Sequence, residues 1–119
     1  MQRVVFFVGL AEAMTGILLL LAPSLVSGLL FGADVPRPGT MFAQLAGIAL
    51  IGLGIACWPG PAALGMLIYG VLVGLYLVWV GATQDAAGPF LWPAVILHAA
   101  LAVPLAMSVR QGRESHVKR

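Results

Sequence analysis

Apolar residues fall into four long blocks with short polar breaks between them. The first block is Val4 to Leu21. At about 1.5 Å of rise per residue it makes a helix of roughly 27 Å, close to the thickness of a bilayer's hydrocarbon core. Beyond it the apolar character continues to Phe31, interrupted at Pro23. Proline has no amide hydrogen and disfavours helix at the preceding residue, so the pattern predicts a stop there and a short interfacial helix over Ser24 to Phe31. Leu25, Val26, Leu29 and Leu30 would form its apolar stripe, with Ser24, Ser27 and Gly28 nearer the other side.

Gly32 to Thr40 (GADVPRPGT) is rich in proline and glycine and reads as a loop. The second span runs from Met41 to Trp58, with Ala43, Gly47 and Gly54 on one face. Small residues at such a face let helix backbones approach closely in lipid. Pro59-Gly60-Pro61 is a tight turn, and a third span follows over about Ala63 to Val80. It carries Gly70 and Gly74 in GxxxG spacing, with Tyr69 and Tyr76 on a second face. After the loop Gly81 to Gly88 comes the fourth span, about Pro89 to Ser108, with Trp79, Phe90 and Trp92 as an aromatic belt at its outer edge. Pro93 sits in the first turn, where proline is tolerated, and Pro104 should bend the last two turns. The polar tail Arg110 to Arg119 is expected to fray.

These blocks predict an all-α fold: a four-transmembrane-helix up-and-down bundle with a short interfacial helix after the first span. Residues 1–109 would form the transmembrane domain and 110–119 a cytoplasmic tail. Composition agrees, since 61% of the 119 residues are hydrophobic and 8% charged, against about a quarter charged in soluble domains. The N-terminal run is longer than the apolar core of a usual signal peptide and three more apolar segments follow, so it reads as a retained span.

Charge sets the expected orientation. Arg3, Arg110, Arg113, Lys118 and Arg119 lie at the chain ends and Arg37 in a loop. By the positive-inside rule both termini are cytoplasmic and the loops holding Asp34, Arg37 and Asp85 face outward. The alkaline pI of 9.2 therefore reports topology and does not call for a nucleic-acid partner. Cys57 is the sole cysteine, which excludes an intramolecular disulfide and a dithiol redox centre. It reads as a small apolar filler.

Two ionisable residues lie inside spans. Glu12 is near the middle of the first, and His98 is within the fourth at a similar depth, roughly 12 and 16 Å above the same surface at 1.5 Å per residue. In an up-and-down bundle the first and fourth helices are neighbours, so the pair could meet. Glu12 shares its face with Gly9, Ala13 and Gly16, and His98 with Ala94 and Ala102, which leaves room. Such a pair is either a proton- or ion-binding site, lined by Thr15, Gln44, Tyr69 or Tyr76, or a polar pin that fixes helix register. A metal or haem role for His98 has little support, because His116 is in the tail and no second histidine stands at metal spacing. No nucleophile with its base, metal cluster or phosphate loop appears, so neither an enzyme nor a cofactor is expected.

The segments Glu12-Ala-Met-Thr-Gly, Ala46 to Pro59 (AGIALIGLGIACWP), Leu75-Tyr-Leu and Leu91 to Ala99 (LWPAVILHA) together resemble a family of uncharacterised small bacterial four-helix membrane proteins, similar to DoxX-type proteins in size and span count. The resemblance implies a bacterial inner membrane and a single helical bundle, and brings no activity with it. Small multidrug-resistance exporters also carry a glutamate in the first of four spans, but the later spans here depart from theirs, and the motifs of dual-topology fluoride channels are absent. Two classes of function follow. One is a non-enzymatic protein acting by association in the bilayer, with itself or with a membrane-complex partner, through Gly70/Gly74 or Ala43/Gly47/Gly54. The other is a small proton-coupled transporter or channel centred on Glu12 and His98.

Overall fold

A computed structural model describes residues 2–84 and 88–119; Asp85 lies outside the described residues. The elements are all helical: α1 (Gln2–Leu21), α2 (Pro23–Phe31), α3 (Gly39–Ala56), α4 (Ala62–Thr83) and α5 (Leu91–Val117). Four of them, α1, α3, α4 and α5, are long and apolar enough to cross a membrane, and α2 is the short helix after the first. The chain has the all-α architecture expected from the apolar blocks and, by the length and composition of its helices, is a multi-pass membrane protein. It divides into two compact units, Met1–Pro59 and Gly60–Arg119.

The first unit holds α1, α2 and α3. Its helices break where proline requires it: Ala22 leaves the helical region (φ −139°, ψ 59°) and Pro23 opens α2. Two carbonyls of α1 are thereby deprived of their usual partners. Leu19 would need the amide hydrogen that Pro23 lacks, and Leu20 lies one residue before the helix ends. In lipid no water stands ready to replace a lost partner. The Gln44 side chain of α3 supplies one, with Nε2 donating to the Leu20 carbonyl at 3.1 Å. At the far end of α2, Gly32 adopts the left-handed conformation (φ 66°) and donates its N–H to the Gly28 carbonyl at 3.0 Å, a closure that favours glycine.

Burial in α2 falls on Ser27, while Ser24 and Gly28 are exposed and Val26 is half-buried. Ser27 is 5% exposed, and its hydroxyl donates to the Ser24 carbonyl. Leu25, Leu29, Leu30 and Phe31 are exposed. In a lipid solvent this is the stable arrangement, because leucine loses little by facing acyl chains and a serine gains by turning to its own backbone.

α1 and α3 are antiparallel and meet glycine to glycine. Gly9 lies opposite Gly54 and Gly16 opposite Gly47. A β-carbon on Gly47 would stand 2.6 Å from the Gly16 carbonyl oxygen, and one on Gly16 would stand 2.5 Å from the Gly47 carbonyl oxygen. Gly54 and Gly9 repeat the arrangement, with 2.5 Å and 2.9 Å to each other's carbonyl oxygens. No side chain fits there, so dispersion acts over the full backbone-to-backbone contact. Cys57 continues the seam, its Cβ 2.8 Å from the β-position of Gly9, and Ala13 fills the space beside Gly54. The small-filler reading of Cys57 matches this placement.

The second unit is the antiparallel pair α4 and α5. Leu91 and Trp92, at the start of α5, rest on Gly81 near the end of α4, where a β-carbon would meet the leucine at 2.9 Å and the indole at 3.1 Å. Val73 and Val80 of α4 are buried, at 4% and 3% exposed. Pro104 lies inside α5, which continues through it to Val117. The expected frayed tail is thus corrected: residues 110–117 are helical. Arginine, glutamine and glutamate are good helix formers, and Arg110, Glu114 and Lys118 follow one another at a favourable four-residue spacing.

Filling the α1–α3 seam should unfold the first unit selectively. Gly47→Leu is expected to cost about 3 kcal/mol or more in mixed-micelle denaturation, whereas Gly28→Ala, which points into open space, should leave stability unchanged. Gln44→Leu should cost about 1 kcal/mol by removing the Leu20 carbonyl's partner, read in the same titration.

Candidate functional site

Polar side chains within the spans are few, and the structure gives each a distinct setting. His98 lies on α5 facing α4. Its Nδ1 is 2.8 Å from the Ala94 carbonyl oxygen one turn earlier. A carbonyl only accepts, so Nδ1 carries the hydrogen and, in the neutral ring, Nε2 is the acceptor. The Tyr69 ring meets the imidazole edge-on, with centroids 6.1 Å apart and planes at 63°. Of the sequence-predicted polar group, these two are brought together within one unit.

Beside His98 the α4–α5 pair leaves a hollow of about 230 Å³, bordered by Gly70, Gly74, Leu75, His98, Ala99 and Ala102. The two glycines of the GxxxG spacing behave differently there. The β-position of Gly74 lies 3.7 Å from the His98 Cβ, an ordinary contact, and that of Gly70 meets no atom within 4 Å. The close approach expected at Gly70 and Gly74 is therefore not made between α4 and α5. The groove beside the two glycines is left unfilled.

Glu12 is half-buried on α1, about 60° around the helix from Gly9 and 40° from Gly16 at 100° per residue, so it flanks the glycine seam without entering it. Its carboxyl makes no hydrogen bond or ion pair with another described residue. Glu12 and His98 fall in different units.

Thr15 lies on α1 in the first unit. It is exposed, and its hydroxyl donates to the Ala11 carbonyl at 2.9 Å, the self-satisfaction open to a threonine on an apolar helix. Gln44 has a task that the sequence reading did not give it, capping the end of α1. The signal was present in the proline break, which strips that end of donors, and in a glutamine that starts the next span. Tyr76 stacks at a tilt on Trp79, centroids 5.8 Å apart. Of the residues read as helix-packing, Gly47 and Gly54 are buried against α1, and Ala43 is half-buried one turn before them. Their partners, Gly9 and Gly16, have the same seven-residue spacing, the feature that points to an antiparallel match.

Asp34 and Arg37 are exposed in the loop before α3, where Thr40 donates to the Val35 carbonyl at 3.2 Å. Among the described residues no three of His, Cys, Asp and Glu gather as a metal site would require. Compared with protein-family models, with curated proteins and with solved structures, the chain finds no match in any of the three.

Proposed function

We propose that this chain is a small polytopic protein of a bacterial inner membrane, with both termini cytoplasmic, that acts without enzymatic chemistry by associating with other helices in the bilayer. Its role is that of an accessory subunit or a self-associating oligomer. The observation that carries this reading is the unfilled groove between α4 and α5. Gly70, Gly74, Ala99 and Ala102 leave it shallow-walled and apolar, and a β-carbon at Gly70 would enter open space. In the first unit the equivalent small residues are spent on joining α1 to α3. In the second, Ala99 is exposed and Gly74 and Ala102 are half-buried, so the backbone of a helix outside that unit could approach closely there and gain the dispersion energy that lipid tails supply poorly. The positive charges at Arg3 and along residues 110–119 support the termini-in orientation.

Glu12 supports a second reading, a proton-coupled transporter or channel. A carboxyl in a span with no hydrogen-bonding partner among the described residues is costly to keep, and such groups mark proton or ion paths more often than not.

Association is tested by crosslinking in native membranes. Gly70→Leu starts its side chain in the groove, where a β-carbon meets no atom within 4 Å, so it should abolish the crosslinked species while circular dichroism and yield stay unchanged. Loss of fold, or a wild-type chain that is only monomeric, would defeat the proposal. For the second reading, proton flux in proteoliposomes should fall at least tenfold in Glu12→Gln if the carboxyl carries the proton; equal flux removes that role.

A further inference from the structure

We infer that the hollow between the Gly60-Pro61 turn and the polar end of α5 holds the phosphate-bearing headgroup of an anionic phospholipid. The inference rests on the membrane-spanning reading of α4 and α5 and is independent of whether the chain associates with others. The hollow has a volume of about 730 Å³ and is lined by Gly60, Pro61, Gly112, Arg113, His116 and Val117, with Ser115 at its edge. That is within the roughly 300–1,000 Å³ of ordinary ligand sites.

Its depth identifies the occupant's surroundings. α5 is apolar from Leu91 to Val109 and becomes polar at Arg110, while α4 begins at Ala62 and is apolar from its first residue. The last apolar turn of one helix and the first turn of the other therefore meet the bilayer surface at the same level, and the hollow lies at that boundary. Arg113 is three residues past Arg110, about 4.5 Å further along the axis, the depth of a lipid phosphate when Arg110 marks the edge of the hydrocarbon.

Its charge identifies the chemistry. Residues 110–119 hold Arg110, Arg113, Lys118 and Arg119 against the single acid Glu114, which does not line this hollow but borders a neighbouring one together with Arg113, Val117 and Lys118. The Arg113 guanidinium can take a phosphate through two parallel hydrogen bonds. The His116 ring adds a donor from the same wall. No side chain caps the first turn of α4, so its amide hydrogens add potential of the same sign. Pro61 and Val117 offer apolar surface to the upper part of an acyl chain or its glycerol ester. Basic residues close to a membrane attract anionic lipid at about 1 kcal/mol each, and at this depth the phosphates of the leaflet are the most concentrated anions present. Because Gly112 has no side chain and a β-carbon there would meet nothing within 4 Å, the hollow stays open in the middle of a helix that would otherwise fill it.

The test is native mass spectrometry of the full chain released from bilayers of phosphatidylglycerol and phosphatidylcholine in equal amounts. The wild type should retain phosphatidylglycerol over phosphatidylcholine by roughly tenfold. Arg113→Gln with His116→Gln should bring that ratio near one, and so should Gly112→Leu, which blocks the hollow while improving helix propensity. Arg3→Gln, in the other unit, should leave the ratio unchanged. The proposal is overturned if the wild type shows no preference, if Gly112→Leu keeps it, or if Arg3→Gln removes it to the same extent. It is also overturned if free glycerol phosphate is retained as strongly as the lipid, or if a second copy of the chain occupies the hollow instead. Failure of the association reading would appear separately, as an unchanged crosslinking pattern in Gly70→Leu with the lipid preference intact.

Discussion

The first unit depends on two backbones touching. In water, helices are driven together by the removal of apolar surface from solvent, and a leucine seam suffices. In a bilayer that drive is largely absent, since an acyl chain is as good a neighbour as a leucine. What remains is the number of atoms brought to van der Waals distance and the polar groups that find partners. Gly9 against Gly54 and Gly16 against Gly47 maximise the first, and Gln44 on the Leu20 carbonyl serves the second. The glycines also fix the register. Sliding α1 along α3 by one residue would bring Leu10 or Ile17, neither of which fits at that separation, toward a position now held by glycine.

The second unit joins its helices by another means. Its α4 has a GxxxG spacing that looks equally suited to close packing, yet the residue opposite Gly74 is His98. The contact there is an ordinary one, 3.7 Å from the β-position of Gly74 to the His98 Cβ. The pair instead makes close contact at Gly81, where Leu91 and Trp92 are seated. The same small-residue pattern thus gives a closed seam in one unit and an open groove in the other, and the difference lies in what stands across from it.

Much of the architecture was legible because membrane spans are a matter of length and polarity. The break at Pro23, the short α2 and the four spans follow from where apolar runs stop. The role of Gly47 and Gly54 was readable on one helix only. Their match to Gly9 and Gly16 depends on register between distant segments, which periodicity in a single helix does not state. The helical end of α5 is not legible from polarity, which by itself suggests a frayed tail, whereas the local propensities of residues 110–117 favour helix. The bond of the Thr15 hydroxyl to its own backbone is likewise invisible in composition. For Glu12 and His98, depth was computable from sequence, and their settings are those of two separate units.

The uninterrupted course of α5 has a mechanical consequence. At about 1.5 Å per residue, 27 residues make a rod of some 40 Å, roughly 10 Å longer than the oily layer it crosses. Its indole-bearing foot is wedged at Gly81, and its cationic head stands clear of the hydrocarbon. A pull or push at the head is carried along one continuous helix to the foot, with Pro104 as the turn that yields first, so that a tilt imposed at one face of the bilayer is felt as leverage at the other.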